Sequence, residues 1–125
     1  MNQQEIFDKV ATHLIAQGKQ SLGSREDTHA KGCAYRGDDG TMCAAGCLIP
    51  GDEYKPDFEG IPWNSIAKDI PTFANAPQGV HDLITSLQGV HDDDFFWENP
   101  ERLKGALRVV ANRYDLSSNV LFRID

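Results

Sequence analysis

Apolar residues recur with a helical period in three stretches of the chain. The first stretch, residues 3–17, ends at Gly18, a usual helix stop, and the third begins near Pro100, where proline suits the first helical position. A helix with one apolar stripe packs that stripe against a core, so the pattern predicts three amphipathic helices. The apolar positions are Ile6, Phe7, Val10, Ala11, Leu14 and Ile15, then Val80, Leu83, Ile84, Leu87 and Val90 in residues 78–90, then Leu103, Leu107, Val110 and Tyr114.

The chain between the first two helices predicts shorter elements. Residues 33–36 and 41–43 flank an Asp-Gly turn segment, which favours a two-stranded β-hairpin. Residues 44–50 are small and apolar and predict a single helical turn, and residues 63–70 predict a short helix before Pro71. Residues 21–32 are polar without a period, which is typical of an exposed surface loop. The predicted fold class is α+β, a mainly helical single domain over residues 1–125 with one two-stranded hairpin.

Composition places the chain among cytoplasmic globular proteins. Hydrophobic residues make up 40% of the sequence and charged residues 25%, which are ordinary globular values. The longest uncharged stretches are shorter than the roughly 20 apolar residues that span a bilayer. The first helix is amphipathic, whereas a secretion signal has a basic segment followed by an apolar one. We therefore expect a cytoplasmic location and no membrane partner.

The charge balance bears on the partners of the protein. The net charge is −7, from 19 acidic and 12 basic residues. Binding to a nucleic-acid backbone needs clustered lysine and arginine, so no direct nucleic-acid partner is expected. The same charge steers a protein toward basic surfaces of other proteins, although modest acidity also keeps a cytoplasmic protein soluble.

Three cysteines, an odd number, favour reduced thiols or metal ligands over a closed disulfide framework. His29, Cys33, Cys43 and Cys47 follow in the order His-x3-Cys-x9-Cys-x3-Cys. These residue types are the ones that zinc prefers, so the four residues form a candidate structural zinc site. The alternative is that Cys33 and Cys43 face each other across the hairpin as small buried apolar residues and that Cys47 packs in the core.

A cysteine-dependent enzyme is a further hypothesis. Cys43 or Cys47 near the start of a helical turn would have a lowered thiol pKa, with His81 or His91 as the base. The sequence contains no local motif of a Cys–His hydrolase family and no phosphate-binding loop, so a non-enzymatic protein is favoured. The two histidines are interpreted as surface or boundary residues, and the run at 92–94 as a solvated helix end.

A set of short motifs runs from the predicted hairpin to the second predicted helix. The motifs are Cys33-Ala-Tyr-Arg-Gly-Asp-Asp-Gly-Thr-Met-Cys-Ala-Ala-Gly-Cys-Leu-Ile-Pro50, Asp52-Glu-Tyr54, Glu59-Gly60, Leu87-Gln88 with His91-Asp92, and Trp97. Their pattern resembles small uncharacterised proteins encoded by bacteriophages and prophages, most closely over the hairpin segment. The resemblance implies a non-enzymatic accessory protein that binds and modulates or inhibits a host protein, such as a defence component, in the host cytoplasm.

Aromatic and arginine side chains dominate the energetics of protein interfaces. Those near the predicted hairpin are the candidate partner-binding residues if they are exposed, and the equally weighted alternative is that each belongs to the core or lies along the surface as a partly buried side chain. An alternative function is a small-ligand-binding domain, because a fold of this size can hold a pocket on the order of a few hundred Å³ between hairpin and helices. The candidate partner-binding residues are Tyr35, Arg36, Tyr54 and Trp63.

Overall fold

The fold is mainly helical, as the sequence predicted. It is seen in a computed structural model, which describes residues 1–24 and 31–123. Within these residues the chain forms four α-helices and one pair of short strands, connected by turns of 3₁₀ helix. The helices are α1 (Gln3–Gln17), α2 (Trp63–Ile66), α3 (Gln78–Asp92) and α4 (Pro100–Arg113), and the strands are β1 (Leu22–Ser24) and β2 (Lys31–Cys33).

The ends of α1 follow directly from its sequence. The side chain of Asn2 accepts a hydrogen bond from the backbone N–H of Glu5 at 2.8 Å, and the Glu5 carboxylate accepts one from the backbone N–H of Asn2 at 3.0 Å. This reciprocal pair is a capping box. Gly18 then ends the helix with a φ of 70°, a left-handed conformation that glycine adopts without strain. The predicted bounds of this helix are confirmed.

The two later helices begin where the sequence predicted. The side chain of Asn99 caps α4 by accepting from the backbone N–H of Arg102 at 3.0 Å, and Pro100 takes the first helical position. Helix α3 begins at Gln78 but continues beyond Val90 to Asp92. The extra residues place two polar side chains, those of His91 and Asp92, on the last turn of a core helix.

The apolar stripes of α1, α3 and α4 meet in one cluster of buried residues. Burying a leucine or phenylalanine side chain stabilises a fold by about 1.5–3 kcal/mol, so this cluster is the main source of stability. Leu121, in the segment after α4, is also buried, whereas Phe122 next to it is exposed. No helix in residues 1–24 or 31–123 is both long and apolar enough to cross a membrane. The fully buried members of the core cluster include Phe7, Leu14, Leu83, Leu87 and Leu107.

The predicted hairpin over residues 33–43 does not form as two strands. Arg36 and Met42 make a single isolated bridge, and the segment between them closes through a 3₁₀ turn, Asp38–Gly40. The reason is that the chain after Met42 turns into the core, where Cys43 is buried. A second strand of the predicted hairpin therefore has no room to continue.

Strand pairing occurs instead between β1 and β2, which are antiparallel with Leu22 opposite Cys33. The prediction of an exposed loop over residues 21–32 is therefore wrong at both of its ends. Ser21 is fully buried, and it precedes a strand whose short, glycine-containing sequence shows no alternation of apolar and polar residues. Contacts with the end of α3, described next, hold this segment in place.

Candidate binding cleft

His91 is fully buried in the last turn of α3, and both of its ring nitrogens are hydrogen-bonded. The backbone N–H of Ser21 donates to Nε2 at 2.8 Å. Because Nε2 accepts this bond it holds no proton, so the ring is neutral with its proton on Nδ1. Nδ1 then donates to Oδ1 of Asp92 at 2.8 Å. The interpretation of His91 as a surface or boundary residue is therefore wrong.

The Asp92 carboxylate lies at the solvent end of this network, with 44% of the side chain exposed. It accepts hydrogen bonds from Nδ1 of His91, from Nε2 of Gln88 at 2.9 Å and from the side chain of Cys33. Burial alone would raise the pKa of Asp92, but the hydrogen bonds outweigh it and leave that pKa below its ordinary value. Asp92 is therefore ionised at neutral pH. A carboxylate offers about four acceptor positions, so these three donors leave roughly one open.

Cys33, His91 and Asp92 together form a cluster of metal-ligating types. Their ligand atoms lie within 4.8 Å of one another, and thiolate, imidazole and carboxylate are all zinc ligands. A metal ion on Nδ1 of His91 would displace the proton that this nitrogen holds. Nε2 would then become the protonated nitrogen and lose its bond from Ser21. The cluster can hold a metal only with that rearrangement.

The structure does not gather the described members of the predicted zinc-ligand set at one place. His29 lies outside the described residues, and Cys33 joins the His91 cluster. Cys43 and Cys47 are buried, and burial raises the pKa of each thiol to about 12. Sγ of Cys47 donates to the carbonyl oxygen of Ala44 at 3.1 Å. Zinc needs thiolates, so these contacts match the alternative of packed thiols at the two positions, and the four-ligand zinc site stays a prediction.

A cleft with a volume of about 430 Å³ opens beside this network. One wall is a face of α3, on which Thr85, Gln88, Gly89 and Asp92 follow at the helical spacing i, i+3, i+4 and i+7. The other walls come from residues 33–35, from Cys43 and from residues 60–64. Four segments of the chain thus form one concave surface of the size that small-molecule sites have.

Tyr35 and Trp63 line the cleft, but little of either side chain is exposed. Their exposed fractions are 6% and 3%, so most of each ring belongs to the core. The Tyr35 hydroxyl donates to the carbonyl oxygen of Ile61 at 2.5 Å, and Nε1 of Trp63 donates to Nδ1 of His81 at 3.1 Å. The structure matches the alternative of core residues at these two positions. Binding of a partner by them stays a prediction, now confined to the part of each ring at the cleft.

Arg36 and Tyr54, the other two candidate partner-binding residues, are half-buried and brace the loop behind the cleft. The Glu59 carboxylate accepts hydrogen bonds from the backbone N–H groups of Tyr35 and Arg36 at 2.8 and 3.0 Å, and from the Tyr54 hydroxyl at 2.5 Å. The guanidinium of Arg36 lies 4.9 Å from the centre of the Tyr54 ring and donates to the carbonyl oxygen of Ile49 at 2.7 Å. These contacts hold the cleft wall in one position.

The turn after Met42 docks closely on both the cleft wall and α3. A Cβ atom at Gly46 would lie 2.1 Å from the carbonyl oxygen of Tyr35, so only glycine fits. The backbone N–H of Ala45 donates to Oε1 of Gln88 at 3.0 Å, while Nε2 of the same side chain holds Asp92. Gln88 therefore couples the turn to the carboxylate.

Gln88, His91 and Asp92 were not linked in the sequence-based hypotheses, which considered His91 as a catalytic base or a surface or boundary residue and Asp92 as part of a solvated helix end. One signal was present, since these residues follow at i, i+3 and i+4 at the end of a predicted helix, a spacing at which side chains can meet one partner segment. The identity of that segment was not visible, because Ser21 and Cys33 contact the helix across long stretches of sequence. Comparison with known proteins found no family model, no curated protein and no solved structure that matches this chain.

Proposed function

We propose that this protein is a non-enzymatic binding protein that engages a partner protein through the cleft beside α3. The partner is a host protein, as the resemblance to phage and prophage proteins implies, and a defence component is one candidate. The observation that supports a binding role is the cleft itself. Its walls come from four separate segments, and hydrogen bonds of Glu59, Gln88 and His91 hold this region together. A preformed concave surface binds without first being ordered, which favours affinity.

The chemistry of the cysteines favours binding over cysteine-dependent catalysis. Cys43 and Cys47 have pKa values raised to about 12, so both are poor nucleophiles at neutral pH. The Cys33 side chain donates to Asp92, whose negative charge opposes formation of a thiolate beside it. Both ring nitrogens of His91 are already bonded, so this histidine is not placed to act as a base.

The cleft suits a single inserted group rather than a flat interface. Its volume of about 430 Å³ accommodates one side chain of a partner, and Ile61 at its rim is 42% exposed and offers an apolar contact. The same volume supports a second candidate function, sequestration of a small ligand. Native mass spectrometry of freshly purified protein distinguishes the two, because a retained small ligand adds a defined mass.

Two glycines allow a matched test of the cleft. Gly89 lies on its α3 wall and Gly105 lies in α4 outside it, and at both positions a Cβ atom meets nothing within 4 Å. Gly89→Leu should fill the cleft, whereas Gly105→Leu adds the same side chain to a helix elsewhere. Each variant replaces a glycine inside a helix, and this replacement by itself stabilises a helix by roughly 0.5–1 kcal/mol. The two variants should therefore fold equally well.

The experiment is capture of partners from bacterial lysate by wild-type protein and the two variants, with bound proteins quantified by mass spectrometry. We expect a partner that wild type and Gly105→Leu retain equally and that Gly89→Leu loses by about tenfold or more, the effect of roughly 1.4 kcal/mol of binding energy. Equal retention by Gly89→Leu would show that the partner binds elsewhere and would overturn the proposal. Circular dichroism and thermal unfolding of all three proteins confirm that the folds match.

A further inference from the structure

We infer that the cleft selects a positively charged group, the guanidinium of an arginine side chain on the partner, and that the Asp92 carboxylate is its anchor. This inference rests on the proposed function, in which the cleft is the binding site. It follows from three features of the cleft: its charge, the way Asp92 is held, and the aromatic rings in its walls.

The first feature is an uncompensated charge. Among the described residues that line the cleft, Asp92 is the only charged one, and neither lysine nor arginine is present. The remaining lining residues are polar neutral, apolar or aromatic. In a concave site with low-dielectric walls, one carboxylate creates a negative potential that attracts cations and excludes anions.

The second feature is that Asp92 is oriented without being neutralised. Its donors are the Nδ1–H of a neutral His91 ring, the amide of Gln88 and the side chain of Cys33. A fully buried carboxylate is ordinarily paired with lysine or arginine, whereas Asp92 keeps 44% of its side chain exposed and three neutral donors hold its inner side. The carboxylate therefore keeps its full charge, with a fixed geometry and about one acceptor position open. A cation that enters the cleft can pair with it.

The third feature concerns Tyr35 and Trp63, whose polar atoms are already bonded to Ile61 and His81. Only 6% of Tyr35 and 3% of Trp63 is exposed, so what these residues can offer a ligand is the small part of each ring that reaches the cleft. Aromatic rings attract cations, and the flat guanidinium of arginine both stacks on rings and forms charge-assisted hydrogen bonds with carboxylates. Arginine is also hydrated more weakly than lysine, so its entry into a half-enclosed cleft costs less.

The test uses two blocked amino acids, N-acetyl-arginine methylamide and the citrulline analogue, which replaces the guanidinium with a neutral urea of nearly the same shape. Binding is followed by ¹H–¹⁵N NMR of the indole N–H groups. The chain has two tryptophans, of which Trp63 lines the cleft and Trp97 does not. The variants are Asp92→Asn and, as a control with the same change in net charge, Asp94→Asn, an exposed residue that does not line the cleft.

We expect the arginine probe to shift the Trp63 indole signal of wild type and Asp94→Asn with the same affinity. The citrulline probe, and the arginine probe with Asp92→Asn, should bind about tenfold more weakly or worse. Equal binding of the two probes at Trp63 would overturn charge selection while leaving the cleft as a binding site. Absence of any Trp63 shift with the arginine probe would overturn the inference, and the capture experiment with Gly89→Leu then decides the proposed function separately. Matching ¹H–¹⁵N spectra away from residue 92 establish that Asp92→Asn is folded.

Discussion

Ser21 and His91, 70 residues apart in the sequence, are joined by a hydrogen bond from the backbone N–H of Ser21 to Nε2 of the imidazole. This bond ties the residue that precedes β1 to the last turn of α3. It also determines which ring nitrogen holds the proton, and through Nδ1 it orients the Asp92 carboxylate toward the cleft. A backbone amide thus helps to set the charge of the proposed binding site.

The tautomer of His91 is directly measurable. We expect a neutral ring with the proton on Nδ1 near neutral pH, because the ring is fully buried and Nε2 is an acceptor. Long-range ¹H–¹⁵N NMR distinguishes the tautomers, with His13 in the same spectrum as an internal comparison, because its half-buried ring bonds the carbonyl oxygen of Met42 through Nε2 at 2.8 Å. A charged ring, or a proton on Nε2, would be incompatible with the network and with an uncompensated Asp92.

Gly46 should tolerate no side chain. A Cβ atom there would lie 2.1 Å from the carbonyl oxygen of Tyr35, and the backbone on both sides would have to move. Overpacking costs typically 1–3 kcal/mol, and we expect Gly46→Ala to reach at least about the upper end of that range. Urea unfolding of Gly46→Ala and of Gly51→Ala, where a Cβ meets nothing within 4 Å, provides the comparison. Similar stabilities of the two variants would contradict the close docking of this turn.

Alkaline pH should destabilise the protein through its buried thiols. Burial raises the pKa of Cys43 and Cys47 from 9.0 to about 12. Between these values the unfolded chain has released protons that the native state retains, so the free energy of unfolding falls as pH rises. The fall is at most about 1.4 kcal/mol per pH unit and thiol.

Urea unfolding at several pH values above about 8 measures this fall. The double variant Cys43→Ala with Cys47→Ala should show a shallower fall than wild type. Burial also raises the pKa of Tyr35, so some decline should remain in the double variant. Identical slopes for the two proteins would show that the thiols are not the cause.

Zinc binding, if the protein retains the metal, should depend on Cys33. This residue belongs to the ligand set predicted from the sequence and also to the cluster with His91 and Asp92. Elemental analysis of protein purified without chelator should therefore show zinc lost in Cys33→Ser. If zinc is lost in Cys47→Ser but kept in Asp92→Asn, the ligands are those predicted from the sequence. If zinc is lost in Asp92→Asn but kept in Cys47→Ser, the ligands are the cluster of Cys33, His91 and Asp92. Full zinc content in Cys33→Ser would contradict both sets.

The helices were predictable because their signals are local. Apolar spacing, the stop at Gly18 and Pro100 at a first turn each act within a few residues, and the structure places α1, α3 and α4 accordingly. The short helical turn after Met42 was also predictable, since 3₁₀ helix Gly46–Leu48 occupies it. Patterns of this kind need no knowledge of the tertiary partner.

The cleft could not be predicted in the same way. Leu22 and Cys33 pair in strands that show no alternation of apolar and polar residues. The position of these strands depends on contacts with the end of α3, which the sequence of the strands does not reveal. His91 is polar and was therefore assigned to the surface, yet two hydrogen bonds compensate its burial. The predicted residues Tyr35 and Trp63 do lie at the cleft, but as parts of the core.

Entry of a cation into the cleft beside α3 is measured by titrating N-acetyl-arginine methylamide into Gly89→Leu and Gly105→Leu while following the Trp63 indole signal. We expect Gly105→Leu to bind the probe as wild type does and Gly89→Leu to bind it about tenfold more weakly or worse, because the new leucine occupies the cleft. Equal binding by the two variants would contradict entry of the cation into the cleft.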